Sequence, residues 1–180
     1  MAFLDSLWFG EAFDPNGPPD YWLVEMSGIP YGIHNDQLAH PNFYRGMLFA
    51  MSARPGPNNF PLIPPIWKAW DTLQMTADGV QLLGFWDNAV PVTTGREDVL
   101  ASVYMRPDDG AVVALASWAN ANVTCTLHID WKMLGLDAGH ANISAPYISG
   151  FQESRVLLAS NPVLTVAPGQ GWILDITSAL

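Results

Sequence analysis

The chain has 180 residues, of which 49% are hydrophobic and 13% are charged, and its formal net charge is −10 with only seven Lys and Arg. So acidic a chain argues against binding to nucleic acid or to an anionic membrane surface, and no apolar run reaches the roughly 18 residues of a membrane-spanning helix. The charged fraction is about half the usual ~25%, which predicts that part of the surface is covered by a protein partner or a missing segment. The composition does not exclude binding of a neutral ligand.

A single cysteine, Cys125, excludes an internal disulfide and a cysteine metal cluster. The N-terminus lacks the basic and apolar regions of a signal peptide, so secretion would require a signal peptide upstream of residue 1. Localisation is otherwise open.

Two apolar segments near the N-terminus each carry a carboxylate near their end. LWFGE ends at Glu11, and WLVEMSGIP carries Glu25 shortly before Gly and Pro. Bulky apolar runs that end in turn formers predict buried strands. Because an ionised Glu is costly to bury, Glu25 either pairs with Arg45 or Arg54 or points into a site at the strand end.

Two helical segments and a third strand complete the first half. The spacing of apolar residues predicts helices over 41–54 and 66–76, and GVQLLGFWD predicts a strand that ends at Asp87. Strands that alternate with helices indicate parallel strands and an α/β arrangement. Three strands cannot close an eight-stranded barrel, so residues 1–97 are interpreted as the C-terminal portion of a (β/α)8-type barrel with an open sheet.

After residue 97 the pattern changes to strands and turns. DVLASVYM and AVVALASWA flank RPDDG, where Asp109-Gly110 indicates a hairpin. Further short strands follow at regular spacing: NVTCTLHID, ISAPYI, RVLLAS, PVLTVAP and GWILDIT. Residues 98–180 are therefore predicted to form an antiparallel β-sandwich whose core can be internal.

The ordered series LWFGE, YWLVEMSGIPYGIHNDQL, NFYRGMLFAMSARP, PPIWKAWD and LLGFWD, followed by LASWAN, IDWKMLGL and GWILDI, resembles the end of glycoside hydrolase family 123 and its relatives. The resemblance covers nearly the whole chain. It implies the last strands of a catalytic barrel followed by a C-terminal β domain. It also implies an adjacent Asp-Glu pair that acts with the acetamido group of the substrate, yet no Asp-Glu dipeptide occurs in this sequence.

In a parallel barrel, side chains at the C-terminal ends of strands surround the active site. Glu11, Glu25 and Asp87 each lie near a strand end, and Glu11 and Glu25 are the candidate catalytic carboxylates. The alternative role for Glu11 is that of a solvated loop residue, and the alternative role for Asp87 is that of a turn or helix cap.

The candidate substrate-binding residues are the aromatic, basic and acidic side chains near the same ends: Trp8, Tyr31, His34, Arg45, Trp86 and Asp87. Aromatic rings stack on the apolar faces of sugars, although a Trp in a strand is more often a core residue. His34 lies in IHNDQLAH, whose spacing matches no metal-ligand motif and favours loop hydrogen bonding. No metal or cofactor is expected, since phosphate-loop, serine-elbow and HExxH motifs are absent from the sequence.

These features predict a segment of a glycoside hydrolase-like protein that acts on neutral or N-acetylated glycans and lacks the main catalytic dyad. The alternative is a non-catalytic carbohydrate-binding or assembly subunit that needs a partner chain to cover its open sheet.

Overall fold

The computed structural model of the protein describes residues 7–9, 17–20, 33–35, 42–50, 52–53, 61–106 and 110–179. Strands β1 (Leu7–Phe9), β2 (Ile33–Asn35) and β3 (Ser52–Ala53) form a parallel sheet in the order β1-β2-β3. Parallel pairing in this segment agrees with the expected α/β arrangement. The strand predicted over WLVEMSGIP lies outside the described residues, and β2 falls within a segment that was predicted as a loop.

Helix α1 (Phe43–Met47) is shorter than the helix predicted over 41–54. Asn42 caps its N-terminus, because the Asn42 side chain accepts a hydrogen bond from the Arg45 backbone N–H at 3.0 Å. The chain leaves the helix through a turn at 48–50, where Ala50 has a φ of 55°. This left-handed residue ends the helical conformation, and strand β3 follows directly.

Helix α2 (Ile63–Thr72) begins three residues earlier than the prediction over 66–76. Proline occupies its first turn, where the missing N–H has no intrahelical partner to lose. Ile63 and Ile66 are buried, whereas Trp67 remains 43% exposed.

The remaining strands are all antiparallel to their partners. They are β4 (Gln81–Leu83), β5 (Val92–Thr93), β6 (Val99–Met105), β7 (Ala111–Ser117), β8 (Val123–Thr126), β9 (His128–Ile129), β10 (Ala141–Ala145), β11 (Arg155–Leu157), β12 (Val163–Val166) and β13 (Gly171–Ser178). Among the described residues, six of them form one sheet in the order β11-β10-β13-β7-β6-β4. Strands β12 and β8, and likewise β5 and β9, form separate two-stranded pairs. The described structure is thus mostly β-sheet with few helices.

The structure corrects one prediction about the barrel. The segment GVQLLGFWD was expected to supply a parallel barrel strand, but β4 pairs antiparallel with β6, with Leu82 opposite Tyr104. A run of apolar residues predicts a buried strand without specifying its direction, and β4 becomes the edge of the six-stranded sheet. A strand from within 1–97 therefore belongs to the same sheet as the strands that follow residue 98.

The six-stranded sheet is buried on both faces around its centre. Every residue of β7 is buried, and alternate residues contribute to two different hydrophobic clusters. Val112 and Ala114 pack with residues of α1 and α2, whereas Val113 and Leu115 pack with residues of the two-stranded sheets. The sequence of β7, which is apolar except for Ser117 at its end, follows from this position between two layers.

In the described part of the chain, no helix has the length and apolar character needed to cross a membrane.

Candidate functional site

Three of the predicted site residues, Glu11, Glu25 and Tyr31, lie outside the described residues. Trp8 and His34 lie on the adjacent strands β1 and β2, where they are direct partners in the register. The backbone therefore brings these two predicted substrate-binding positions together. A role for any of the five in catalysis or binding remains a prediction.

Arg45 is buried at the junction between helix α1 and the end of strand β7. It is 5% exposed, and its guanidinium donates two hydrogen bonds to the Ser117 carbonyl, at 3.1 Å from Nε and 2.7 Å from Nη2. The guanidinium carbon lies 4.5 Å from the centroid of the Trp118 ring, within cation–π range. These contacts fix α1 on the sheet.

Trp118 extends this junction to a third segment of the chain. Its indole Nε1 donates a hydrogen bond to the Gly17 carbonyl at 2.9 Å, and its backbone N–H donates to the Asp98 carbonyl at 2.7 Å. Asn42 adds a further link, because its Nδ2 donates to the Gly169 carbonyl at 2.8 Å. The end of β7 and the β12–β13 turn are thus tied to the N-terminal segment through side-chain hydrogen bonds.

Trp86 is the exposed member of an aromatic cluster. Its ring is stacked parallel to that of Phe49 with centroids 5.6 Å apart, and Phe85 contacts both rings edge to face. Trp86 remains 38% exposed. A Cβ added to Gly84 would lie 2.3 Å from the Trp86 ring, so the close approach requires glycine at that position. The result is an aromatic surface, accessible to solvent, on a rigid support.

Asp87 lies in the turn that follows β4. Its Oδ2 accepts a hydrogen bond from the Gly84 N–H at 2.8 Å, and its own N–H donates to the Gly84 carbonyl at 2.9 Å. The capping role that competes with substrate binding is therefore present. The Asp87 side chain is exposed and adjacent to Trp86, as substrate binding requires. Its role in substrate binding remains a prediction.

The sequence analysis missed the residues that support the junction between helix α1 and the sheet. Tyr44 stacks on Phe151 with ring centroids 4.2 Å apart, and its hydroxyl donates to the Phe151 carbonyl at 2.7 Å. Burial raises the pKa of Tyr44 to about 12. The Tyr104 hydroxyl donates to the Met47 carbonyl, and burial also raises the pKa of Tyr104. No local pattern could have identified these pairs, since each joins residues far apart in the chain.

Two histidines, His128 and His140, lie in the C-terminal half of the chain. His140 Nδ1 lies 2.8 Å from Asp137 Oδ2, and both side chains are exposed. The Gly139 N–H, and secondarily His140, lower the pKa of Asp137. Within the described ranges, His, Cys, Asp and Glu side chains do not form a group of three that could hold a metal ion.

Two family models match the chain in sequence order. The model for the TIM-barrel domain of glycoside hydrolase 123 matches residues 1–56, and that for the C-terminal domain of glycoside hydrolase 123 matches residues 63–177. No curated protein matches the chain. The first match includes β1 to β3 and α1, and the second includes α2 and the strands from β4 onward.

Proposed function

The chain belongs to the glycoside hydrolase 123 family, and we propose that it is a segment of a glycoside hydrolase-like protein acting on neutral or N-acetylated glycans. The observation that carries this proposal is the ordered match of a barrel model and a C-terminal-domain model over most of the chain. The acidic composition is consistent with an uncharged ligand, because net charge −10 disfavours polyanionic substrates.

Glu11 and Glu25 are the proposed catalytic carboxylates. In glycoside hydrolysis one carboxylic acid donates a proton to the leaving oxygen, and a second group acts on the anomeric carbon or activates water. The family resemblance assigns the second role to the acetamido oxygen of the substrate, assisted by an adjacent Asp-Glu pair. Because this sequence contains no Asp-Glu dipeptide, we propose that residues 1–180 are catalytically incomplete by themselves.

The proposed substrate-binding surface combines Trp8, Tyr31, His34, Trp86 and Asp87, and the buried Arg45 is proposed as its support. Trp86 has the strongest structural support, because one ring face packs on Phe49 while the side chain keeps 38% of its surface exposed. A stacked, exposed indole suits the apolar face of a sugar ring, and the neighbouring Asp87 supplies hydrogen-bond acceptors. Arg45 contributes by holding α1 against β7.

We propose two features of the architecture. The division between barrel and C-terminal domain lies between the matched ranges, at 57–62, rather than at the predicted boundary of 97/98; the pairing of β4 with β6 supports this position. The two-stranded sheets, whose Cys125 and Leu164 share a hydrophobic cluster with Val113, form the second layer of a β-sandwich.

Exposed apolar side chains at an edge of the described sheet favour the second candidate function, that of an assembly or carbohydrate-binding subunit. Strand β11 is an edge strand, and Val156 is 79% exposed while Leu158 is 74% exposed. Apolar side chains clustered at an unpaired edge suit coverage by a partner chain. Size-exclusion chromatography with light scattering tests this candidate. A monomer that hydrolyses a chromogenic N-acetylgalactosaminide would eliminate it.

Titration with an N-acetylgalactosaminide, followed by calorimetry, tests the main proposal. We expect Trp86→Ala to weaken binding about tenfold, equivalent to about 1.4 kcal/mol. Trp67→Ala is the matched control, because Trp67 is 43% exposed on helix α2, and this substitution should leave the affinity unchanged. Absence of binding by the unmodified chain, or equal effects of the two substitutions, would contradict the proposal.

A chromogenic assay tests the proposed incompleteness. We expect hydrolysis by residues 1–180 to be at the background rate. Hydrolysis that is abolished by Glu25→Gln and retained by Glu153→Gln would show instead that the chain carries a complete catalytic set. Glu153 is the control because it is an exposed carboxylate in the C-terminal region.

A further inference from the structure

A cleft of about 300 Å³ lies between the β4–β5 loop, strand β5 and the start of β6. Its apolar wall includes the half-buried side chains of Phe85, Val90 and Leu100, and its open side carries the exposed Thr93 and Glu97. None of the predicted site residues lines it. Ligand sites are generally of this mixed kind, an apolar cavity with a few polar groups at fixed positions.

The charge balance of the cleft disfavours an anionic ligand. Arg96 lies at the rim, but its guanidinium makes a two-pronged ion pair with Asp98, at 2.7 Å from Nε and 2.8 Å from Nη2. This pairing offsets the positive charge, so that no strong attraction for an anion remains. Glu97 adds hydrogen-bond acceptors suited to hydroxyl or amide donors.

The rim of the cleft is preorganised by its own hydrogen bonds. The Thr94 hydroxyl donates to the Val99 carbonyl and accepts from the Arg96 N–H at 3.3 Å. Gly95 has a φ of +66°, and a Cβ at this position would lie 2.9 Å from His128 Nε2. A rim held in this way loses little conformational entropy when a ligand binds.

The cleft is continuous with the aromatic cluster. Phe85 lines the cleft and contacts Trp86 edge to face, with ring centroids 5.0 Å apart. A volume of about 300 Å³ is at the lower end of ligand sites, which span roughly 300 to 1,000 Å³, and suits one sugar ring better than an oligosaccharide. A lining that combines aromatic and apolar side chains with hydroxyl and carboxylate groups suits a sugar, which has both apolar faces and hydroxyl groups.

We propose that this cleft binds a single neutral sugar residue carrying an N-acetyl group, with the acetyl methyl against the apolar wall and the hydroxyls toward Thr93 and Glu97. The site would hold one residue of a glycan on the C-terminal domain. The choice of ligand rests on the proposed function, whereas the existence of a neutral ligand site rests on the cleft itself.

Amide NMR shifts of the full chain, titrated with methyl N-acetyl-β-galactosaminide, test the site. We expect shifts for residues of β5, the 94–98 loop and the start of β6. Thr93→Trp should fill the cleft and weaken this binding at least tenfold. Thr165→Trp is the matched control, because Thr165 is also an exposed threonine in a two-stranded antiparallel sheet and lies outside the cleft. It should leave the titration unchanged.

Methyl β-galactoside is the second probe, since it lacks the acetamido group and should bind at least tenfold more weakly. The absence of shifts in β5, the 94–98 loop and the start of β6, or equal effects of the two Trp substitutions, would overturn the site. Equal binding of the two sugars would overturn its N-acetyl selectivity. The proposed function fails separately: if the sugar binds in the cleft but Trp86→Ala has no effect on glycan affinity, the cleft stands and the proposed substrate surface falls.

Discussion

The two matched regions of the chain build their hydrophobic cores in different ways. Between residues 63 and 177, antiparallel strands pair with one another and bury both faces of a central strand. Within residues 1–56, the described strands are two or three residues long, and all five residues of helix α1 are buried. Residues 63–177 contain most of their own packing partners, whereas helix α1, within residues 1–56, is covered by the sheet.

The dependence is reciprocal, however. Phe43, Tyr44 and Met47 of α1 belong to the same hydrophobic cluster as Val112 and Ile173 of the sheet. One face of the six-stranded sheet is therefore covered from outside the region that the sequence predicts to have an internal core. The junction stabilises both regions, and its strength decides how far either can fold alone.

The largest expected effect on stability comes from removing the elements that cover this face of the six-stranded sheet. A fragment of residues 98–180 lacks α1, α2 and β4, which leaves Tyr104, Val112 and Ala114 without their packing partners. A few hundred Å² of uncovered apolar surface at ~25 cal/mol per Å² costs several kcal/mol, comparable to the stability of a whole domain. We expect the fragment to bind a hydrophobic dye and to unfold without a cooperative transition.

The comparison fragment is 61–180, which keeps α2 and β4. It should unfold cooperatively but at a lower temperature than the full chain, as measured by circular dichroism. If residues 98–180 melted at the temperature of the full chain, this region would have an independent core, as the sequence alone predicts.

The next effect concerns Gly171, which lies against strand β7 and close to Tyr44 of α1. An added Cβ would lie 1.7 Å from the Leu115 carbonyl oxygen and 2.9 Å from Tyr44 Cδ1. Because backbone cannot yield as a flexible side chain does, we expect Gly171→Val to lower the unfolding free energy by about 4 kcal/mol or more, measured by urea denaturation. Gly139→Ala is the control, since its Cβ would meet only the Asp137 carboxylate, at an ordinary 3.5 Å from Oδ1 and 3.9 Å from Oδ2. Equal stability of the two variants would refute the close packing.

The sequence predicts the hairpin of β6 and β7 because local signals specify it. Two alternating or apolar runs flank Asp109-Gly110, and the observed register pairs Val99 with Ser117. The apolar run that became β4 carries no signal for strand direction, so its assignment to the barrel was wrong. Short-range turn chemistry is visible in a sequence, whereas the choice of a distant strand partner depends on tertiary packing.

The candidate site shows the same limit. Trp86 and Asp87 are neighbours in the chain, and the apolar strand before them could be predicted, but it ends at Leu83 and both residues lie in the turn that follows it. The packing of Phe49 beneath Trp86 and the two bonds from Arg45 to Ser117 join distant segments, and no spacing rule gives them. Glu11 and Glu25, which lie outside the described residues, remain predictions.

Arg45 offers a direct measure of the coupling between the two regions. Arg45→Met removes both hydrogen bonds to the Ser117 carbonyl and the contact with the Trp118 ring, while retaining much of the buried apolar stem. Charge-assisted hydrogen bonds contribute about 1.5–3 kcal/mol each, so we expect a loss of about 3 kcal/mol in chemical denaturation. Arg45→Lys should recover part of it, because one ammonium cannot reproduce the two-pronged geometry.

The exposed Arg155→Met is the control for Arg45 and should change stability by less than about 0.5 kcal/mol. If Arg45→Met matched this control, the guanidinium would not hold α1 on β7.

The smallest expected effect at neutral pH is that of Tyr44→Phe, which removes the hydrogen bond to the Phe151 carbonyl and should cost about 1 kcal/mol.

In alkaline solution Tyr44 has a larger effect on the free energy of unfolding. The pKa of Tyr44 is raised from 10.0 to about 12, so the folded protein keeps a proton that the unfolded chain loses above pH 10. The stabilisation is therefore complete below pH 10 and declines as pH rises toward 12, by up to about 3 kcal/mol. Urea denaturation from pH 9 to 12 should show a shallower decline for Tyr44→Phe than for the unmodified chain. Some decline should persist, because the pKa of Tyr104 is also raised by burial. Parallel pH profiles for the two proteins would show that the Tyr44 hydroxyl is hydrated, and that α1 lies less tightly against the sheet than its contacts with Phe151 indicate.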